Sequence, residues 1–326
     1  MAQVTQAFLK LRSQRSLLIT ATPLSNNPTE LWALLRAVQG PGVGWKTFRD
    51  LYAYEVTYGG FTKIDSRIRN RPLLQRELAP VMMRRLKTEV GIQLPPKRHQ
   101  RMPLYMLPKQ VLAYRQAMHD MLITLADGSL LDIPDALAKL TRLRQITSGL
   151  STIHLADGSA GPDISAKLDA AMDIIVDRAG DPIVVFSLFR NTAKSLRERL
   201  KKAGINYEQL TFDMEPEEIE AAKDRFAQGD VPVMVGTIGV GGVGHTLVAA
   251  DTLVFIDTHF NPDKQLQAED RIHRIGQVRP CLIIRLHIRH TVDDFVERIT
   301  RRKERMTRGL ITAALKESLA DSERFL

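Results

Sequence analysis

Apolar and polar positions alternate with two different periods along this chain, and from Asp181 onward the two take turns regularly. Pro182–Ser187 (PIVVFS), Asn206–Thr211, Val231–Thr237, Thr252–Thr258 and Cys281–Ile288 are short β-rich runs, which predict strands. Between them lie segments with helical spacing. Asn191–Gly204 ends in Lys201, Lys202 and a glycine stop. Glu215–Gly229 carries proline in its first turn and glycine after its last. A further helix opens at Asn261-Pro262 with asparagine as N-cap. Strands alternating with helices of this length predict βαβ units and a parallel sheet covered on both faces. One complete α/β lobe is expected over roughly 166–290.

Upstream the pattern differs. From about Pro41 to Ser165 little strand pattern is visible apart from a run near Arg101-Met-Pro-Leu104. Pro108–Ala126 and Ile133–Leu150 have apolar residues at helical spacing, and Trp45–Tyr52 reads as a helix whose aromatic residues pack. At the N-terminal end, Leu17–Ile19 predicts a strand, Thr20–Asn27 a polar turn and Pro28–Leu35 a helix. Open α/β sheets place their ligands at such a strand end.

Composition adds charge to this picture. The chain has 326 residues and a net charge of +9. Twelve Lys or Arg against three acids lie between Phe61 and Gln110, and a second basic run spans Arg298–Arg305. Clustered positive charge suits a phosphate backbone. A single cysteine, Cys281, excludes an intramolecular disulfide and a thiolate zinc cluster. No apolar run reaches eighteen residues and no signal-peptide core is visible, so a cytoplasmic protein is expected, bacterial or viral in preference to nuclear.

Two stretches carry candidate chemistry. In Gln267-AEDRIHRIG-Gln277, helical spacing puts Gln267, Arg271 and Arg274 on one face. Two guanidiniums aimed from one helix suit a polyphosphate, because each offers several donors in a fixed fork. A plain surface helix with ion pairs to Glu269 and Asp270 would account for the two arginines alone. Thr237-IGVGGVGHT-Leu247 follows a strand, and its glycines allow backbone N–H groups close to a phosphate or sugar. Five histidines between His245 and His290 show no metal-ligand spacing.

These stretches, with LLITATPLSNNPTELWALL (residues 17–35), VMMRRLKTEV…LPPK (81–97), Leu140-TRLRQI and Ser165-AKLD, occur in one order over nearly the whole chain. In that order they resemble the C-terminal part of the Swi/Snf-type ATPases of helicase superfamily two, two-lobed RecA-like motors that translocate on double-stranded DNA. The resemblance implies an α/β fold: the end of a first RecA-like lobe (1–40), a basic helical insertion and linker (41–165), a second RecA-like lobe (166–300) and a C-terminal helix (301–326). It implies that Arg271 and Arg274 are arginine fingers reaching the γ-phosphate of ATP, with Gln267 ordering that interface. Gly242 and Gly244 would shape the loop that couples ATP state to DNA, and Thr20, Thr22 and Asn26 would belong to the coupling motif of lobe one. Ser187, Arg190 and Thr237, with Arg84, Arg85 and Lys87, would touch the DNA backbone. The Gly-rich loop departs from the family pattern: Gly239 and Val240 stand for Lys or Arg followed by Ala, and Thr246 for Asn.

The resemblance also implies ATP and magnesium, yet no Walker P-loop or Asp-Glu motif occurs in the sequence. Gly40-PGVGWK-Thr47 has tempting spacing, but Trp45 stands where the backbone must approach phosphate. Residues 1–40 are therefore expected to complete the sheet of a separate polypeptide that supplies those motifs, and the chain alone is expected to be inactive as an ATPase. A non-catalytic DNA-binding or regulatory module is the alternative.

Overall fold

Five of the apolar runs become neighbouring strands of one parallel sheet in the computed structural model. The structure describes residues 3–11, 13–20, 23–24, 27–40, 42–58, 61–83, 93–126, 133–153, 159–178, 180–241 and 246–304. Two compact units divide the chain, one built mainly on residues up to Gly91, the other on Ile92–Phe260 and Lys264–Ile299. The division falls near residue 91, so the region read as one insertion, 41–165, is shared between them.

In the first unit, α1 (Gln3–Leu9), α2 (Glu30–Gln39) and α3 (Trp45–Tyr52) precede a hairpin of β1 (Ala53–Tyr58) and β2 (Phe61–Ile68), followed by α4 (Arg71–Leu78). Leu31, Trp32, Phe48, Tyr52 and Leu74 form its core with Leu24 and Leu78. The Trp32 indole N–H donates to the Val43 carbonyl (2.8 Å), and the Tyr52 hydroxyl to Glu77 Oε1 (2.6 Å). Phe48 meets Tyr52 edge-on at 4.7 Å, the expected aromatic packing. Trp45, Lys46 and Thr47 form the first turn of α3, so the tempting glycine spacing before them is only a helix start.

Two expectations need correction. Leu17–Ile19 forms no strand among the described residues; Leu17 is 84% exposed and Ile19 89%. A strand needs neighbours to accept its backbone groups, and none is present here. The antiparallel hairpin β1–β2 was not anticipated at all.

The second unit holds β3 (Lys97–Leu104), α5 (Pro108–Ala126), α6 (Ile133–Ser148), α7 (Ala166–Asp177), β4 (Ile183–Ser187), α8 (Arg190–Lys202), β5 (Tyr207–Leu210), α9 (Pro216–Gln228), β6 (Val233–Thr237), a single turn α10 (Ile238–Gly241), β7 (Thr252–Phe255), α11 (Pro262–Ile272) and β8 (Cys281–Ile288). A helical segment runs on from residue 292. Strand order is β3-β8-β7-β4-β6-β5, all parallel. Every residue of β4, β6 and β7 is buried, because helices cover both faces. Val184 and Phe186 pack towards Phe226 and Ile272, whereas Ile183 and Val185 pack towards Leu196 and Leu200. Each such side chain contributes about 1.5–3 kcal/mol by leaving water.

The helix ends follow the predicted chemistry. Glu215 and Glu218 form a reciprocal capping box on α9, and Gly229 closes it at φ +84°. Ser165 caps α7 by accepting from Leu168 N–H at 3.0 Å. The strand run expected near Arg101–Leu104 is the second half of an edge strand, β3, which pairs with β8.

Candidate functional site

Glu269 fixes the geometry of the α11 end. It is the residue the sequence offered as a surface ion-pair partner for the neighbouring arginines, but its side chain is only 2% exposed. Lys97 Nζ lies 2.8 Å from Oε2, His99 Nε2 3.0 Å from the same oxygen, and Arg285 Nη2 2.8 Å from Oε1. Burial pushes this carboxyl up, but the His99 hydrogen bond and the Lys97 and Arg285 charges outweigh it, leaving a pKa of about 2. The Pro-Pro-Lys stretch is anchored to the same region. His273 Nε2 meets the Pro95 carbonyl at 2.8 Å, and Cys281 N–H donates to the Pro96 carbonyl at 2.9 Å.

With Glu269 turned inward, Arg271 stands half-buried and Arg274 exposed. Only Gln267 and Arg271 lie on the helix. α11 ends at Ile272, so Arg274 follows in the turn and does not share the helical face by spacing. The turn is set by Gln277, whose side-chain amide donates to the carbonyls of Val248 (3.2 Å), Ala250 (2.8 Å) and Ile272 (3.0 Å). Gly276, at φ +101°, lets the chain take that course. The two guanidiniums still sense each other. Burial lowers the pKa of Arg271, the Arg274 charge lowers it further, and Asp270 opposes both. An anion between them would relieve that repulsion.

The end of the Gly-rich stretch is tied to this turn. Leu247 N–H donates to the Arg271 carbonyl (2.9 Å), and Arg274 Nη1 reaches Thr246 Oγ1 at 3.4 Å. Gly242 and Gly244 lie outside the described residues. Gly239 is described: a Cβ there would stand 3.1 Å from the ring of Phe212, so a side chain at this position requires that ring to give way. That ring is 61% exposed, with the Arg190 guanidinium 5.6 Å from its centroid.

The remaining predicted residues divide sharply. Arg190 is exposed at the start of α8, and Thr20 is exposed in the first unit. Thr237 is buried at the carboxyl end of β6, and its hydroxyl has no partner among the described residues. Ser187 needs correction as a DNA-backbone contact. It is buried and donates to Asp257 Oδ2 at 2.7 Å, so its hydroxyl is committed inside the protein. Asp257 also accepts from Leu188 N–H (3.2 Å) and Ser148 (3.1 Å) and faces Lys167 Nζ (3.4 Å), which pairs with Asp293 at 2.8 Å. Sequence reasoning missed this buried network and the one around Glu269. Lys97 and Lys167 sat in the quoted stretches, but nothing local names their distant partners. Thr22, Asn26, Arg84, Arg85 and Lys87 lie outside the described residues.

The donor set here fits the anionic end of a triphosphate: two guanidiniums beside a sheet end. It does not fit magnesium. Among the described residues one group of metal-ligand type converges, His287, Asp294 and Glu297, and Arg101 already bridges its two carboxylates at 3.2 and 3.0 Å.

Residues 1–151 match the family model of the SNF2-related domain, and residues 166–276 that of the helicase conserved C-terminal domain. The chain belongs to the Swi/Snf-type ATPases of helicase superfamily two. It is 30% identical over 302 residues to the Chromodomain-helicase-DNA-binding protein 1-like of Danio rerio, covering 90% of this chain and 29% of that protein. It is 28% identical over 322 residues to the SWI/SNF-related matrix-associated actin-dependent regulator of chromatin subfamily A member 1 of Mus musculus, covering 93% and 29%. An uncharacterized ATP-dependent helicase of Mycoplasma pneumoniae is 24% identical over 331 residues, covering 99% and 30%. The chain therefore spans less than a third of the length of these relatives.

Among solved structures, the Sulfolobus solfataricus SWI2/SNF2 ATPase core in complex with dsDNA has a TM-score of 0.56 at 23% identity, covering 96% of this chain and 66% of that one. The C-terminal part of the Fun30 ATPase domain has a TM-score of 0.56 at 17% identity, covering 69% and 100%. These confirm the Swi/Snf fold of RecA-like lobes. No helix among the described residues is long and apolar enough to cross a membrane. Relatives from a fish, a mouse and a bacterium give no preference to the bacterial cytoplasm expected from sequence.

Proposed function

We propose that this chain is the C-terminal motor portion of an ATP-driven translocase or helicase on double-stranded DNA, with Arg271 and Arg274 as its arginine fingers. The observation that carries the reading is that Arg271, at the end of α11, and Arg274, in the turn after it, are both tied to the end of the Gly-rich stretch, through Leu247 N–H and Thr246 Oγ1. The terminal phosphate of ATP is the anion that site would take, and magnesium-assisted phosphoryl transfer is the chemistry ATP supplies when bound. Arg271 and Arg274 stabilise developing negative charge, and Gln267, one turn earlier on α11, orders the approach. Glu269 keeps the helix end in place through Lys97, His99 and Arg285.

Duplex DNA is held by Arg190 together with Arg84, Arg85 and Lys87, while Thr237, buried at the end of β6, supports the Gly-rich loop that follows it. Gly242 and Gly244 shape the loop that transmits ATP state, with Thr20, Thr22 and Asn26 on the lobe-one side. The P-loop and the magnesium-binding Asp-Glu are not among these 326 residues, so these residues by themselves turn over no ATP.

Reconstitution with a polypeptide bearing the P-loop and Asp-Glu motifs tests this. DNA-stimulated ATP turnover is expected only in the mixture. Arg274→Ala or Arg271→Ala should lower it on the order of 10³-fold or more, with duplex affinity within about twofold of the parent. Turnover by the chain alone, or equal loss of turnover and DNA binding in both variants, would overturn the assignment.

A further inference from the structure

The residues that follow β3 and β8 help to frame a pocket at the carboxyl ends of those strands. Its volume is about 530 Å³, and Tyr105, 66% exposed, stands at its mouth. Val111 and Met118 from α5 give it an apolar floor, and Arg115 and Arg289 stand at its rim. No carboxylate lines it among the described residues. An exposed aromatic ring with cations beside it is the pairing that receives a flat ring joined to a negative charge.

The walls are fixed by the backbone. Arg289 N–H donates to the Leu104 carbonyl at 3.0 Å, which holds the residue after β8 beside the residue after β3. Arg289 Nη1 reaches the Tyr105 hydroxyl at 3.4 Å. His290, also lining the pocket, sits at φ +59°, a left-handed conformation that a non-glycine residue adopts at a cost. Its N–H donates to Asp294 Oδ2 at 2.7 Å, and Val292 N–H donates to the Tyr114 hydroxyl at 2.8 Å. The strained turn is thus locked on one side by a carboxylate and on the other by the pocket's second tyrosine.

We propose that this pocket binds single-stranded nucleic acid, one base stacking on Tyr105 over the apolar floor and the adjoining phosphate held by Arg289 and Arg115. An exposed ring bonded to Arg289, with Arg115 in the same lining, matches the alternation of base and phosphate along a strand. A paired duplex offers no free base face to Tyr105, so this ligand differs from the double-stranded track proposed above. The site needs neither ATP nor the missing first-lobe motifs.

The test uses the full chain, a labelled oligothymidylate and the same oligomer carrying one 2-aminopurine. Fluorescence anisotropy reads affinity, and quenching of 2-aminopurine reads stacking. Tyr105→Ala should weaken oligomer binding about tenfold and abolish the quenching, whereas Tyr105→Phe retains both. Arg289→Ala should weaken binding and make the slope of log affinity against log salt shallower by about one. Duplex affinity should stay unchanged in all three variants, which separates failure here from failure of the motor reading. The proposal falls if Tyr105→Ala binds the oligomer like the parent. It falls equally if saturating duplex displaces the oligomer, or if a phosphotyrosine peptide occupies the pocket in its place.

Discussion

A buried carboxylate at the heart of the family's most diagnostic stretch makes Glu269 the residue with the most to lose. Replacing it by Gln leaves Lys97 and Arg285 facing a neutral amide in a largely dehydrated place. Glu269→Gln is expected to destabilise the second unit by about 3 kcal/mol, measurable by urea denaturation. The pH dependence has a definite sign. The folded-state pKa is depressed from 4.5 to about 2, so the stabilisation is fully present above about pH 4.5. It is lost as pH falls from there through 2, and Glu269→Gln should show a flatter acid-unfolding profile over that range. Equal profiles for parent and variant would contradict the network. Gly239 gives a second residue-level expectation. The Phe212 ring that crowds it is mostly solvent-exposed, so it can swing aside. Gly239→Lys, which restores the family's positive charge, should therefore keep the melting temperature within a few degrees. It should tighten duplex binding and steepen the salt slope by about one, as one more phosphate contact requires. An unchanged slope would separate this loop from the DNA track.

Elements were legible where local pattern and tertiary fate agree. β4, β6 and β7 are β-branched runs between helical segments, and a run buried on both faces needs no alternation to be recognised. The hairpin β1–β2 was not legible because its strands carry Glu55, Lys63, Asp65 and Arg67 among the apolar positions. Its cross-strand support is of another kind: Arg67 and Arg69 lie over the Tyr54 ring at 5.1 and 4.9 Å. The end of α11 was misjudged for a related reason, since polar periodicity runs past Ile272 while Gln277 draws the chain into a turn. The Glu269 and Lys167 networks join residues far apart in sequence, and no spacing rule reaches them. Leu17–Ile19 shows the opposite case, a strand pattern with no neighbour to pair with. Leu17 and Ile19 lie in solvent, and Leu18 is half-buried. Leu17→Lys with Ile19→Lys should lower concentration-dependent light scattering while leaving the melting temperature within about 2 °C. A fall in melting temperature beyond that would mean these side chains carry packing in the isolated chain.

At the scale of the molecule, a second RecA-like lobe with its own two-sided core accompanies a smaller unit with a separate aromatic core. The excess positive charge between Phe61 and Gln110 runs across the division between them. Charge density was readable in advance, as was the family order of motifs; which side chains would turn inward was not. The edge strand β3 carries a consequence in time. It pairs only with β8, about 180 residues later in the chain. At usual rates of synthesis that partner appears about 10–40 s afterwards, so the strand waits unpaired while the sheet between grows. Its exposed sequence, Arg98-His-Gln-Arg101, is polar and charged enough to wait in water without seeking another chain's edge. The last strand made is the one that closes the lobe, and Lys97 finds Glu269 in that same closing step.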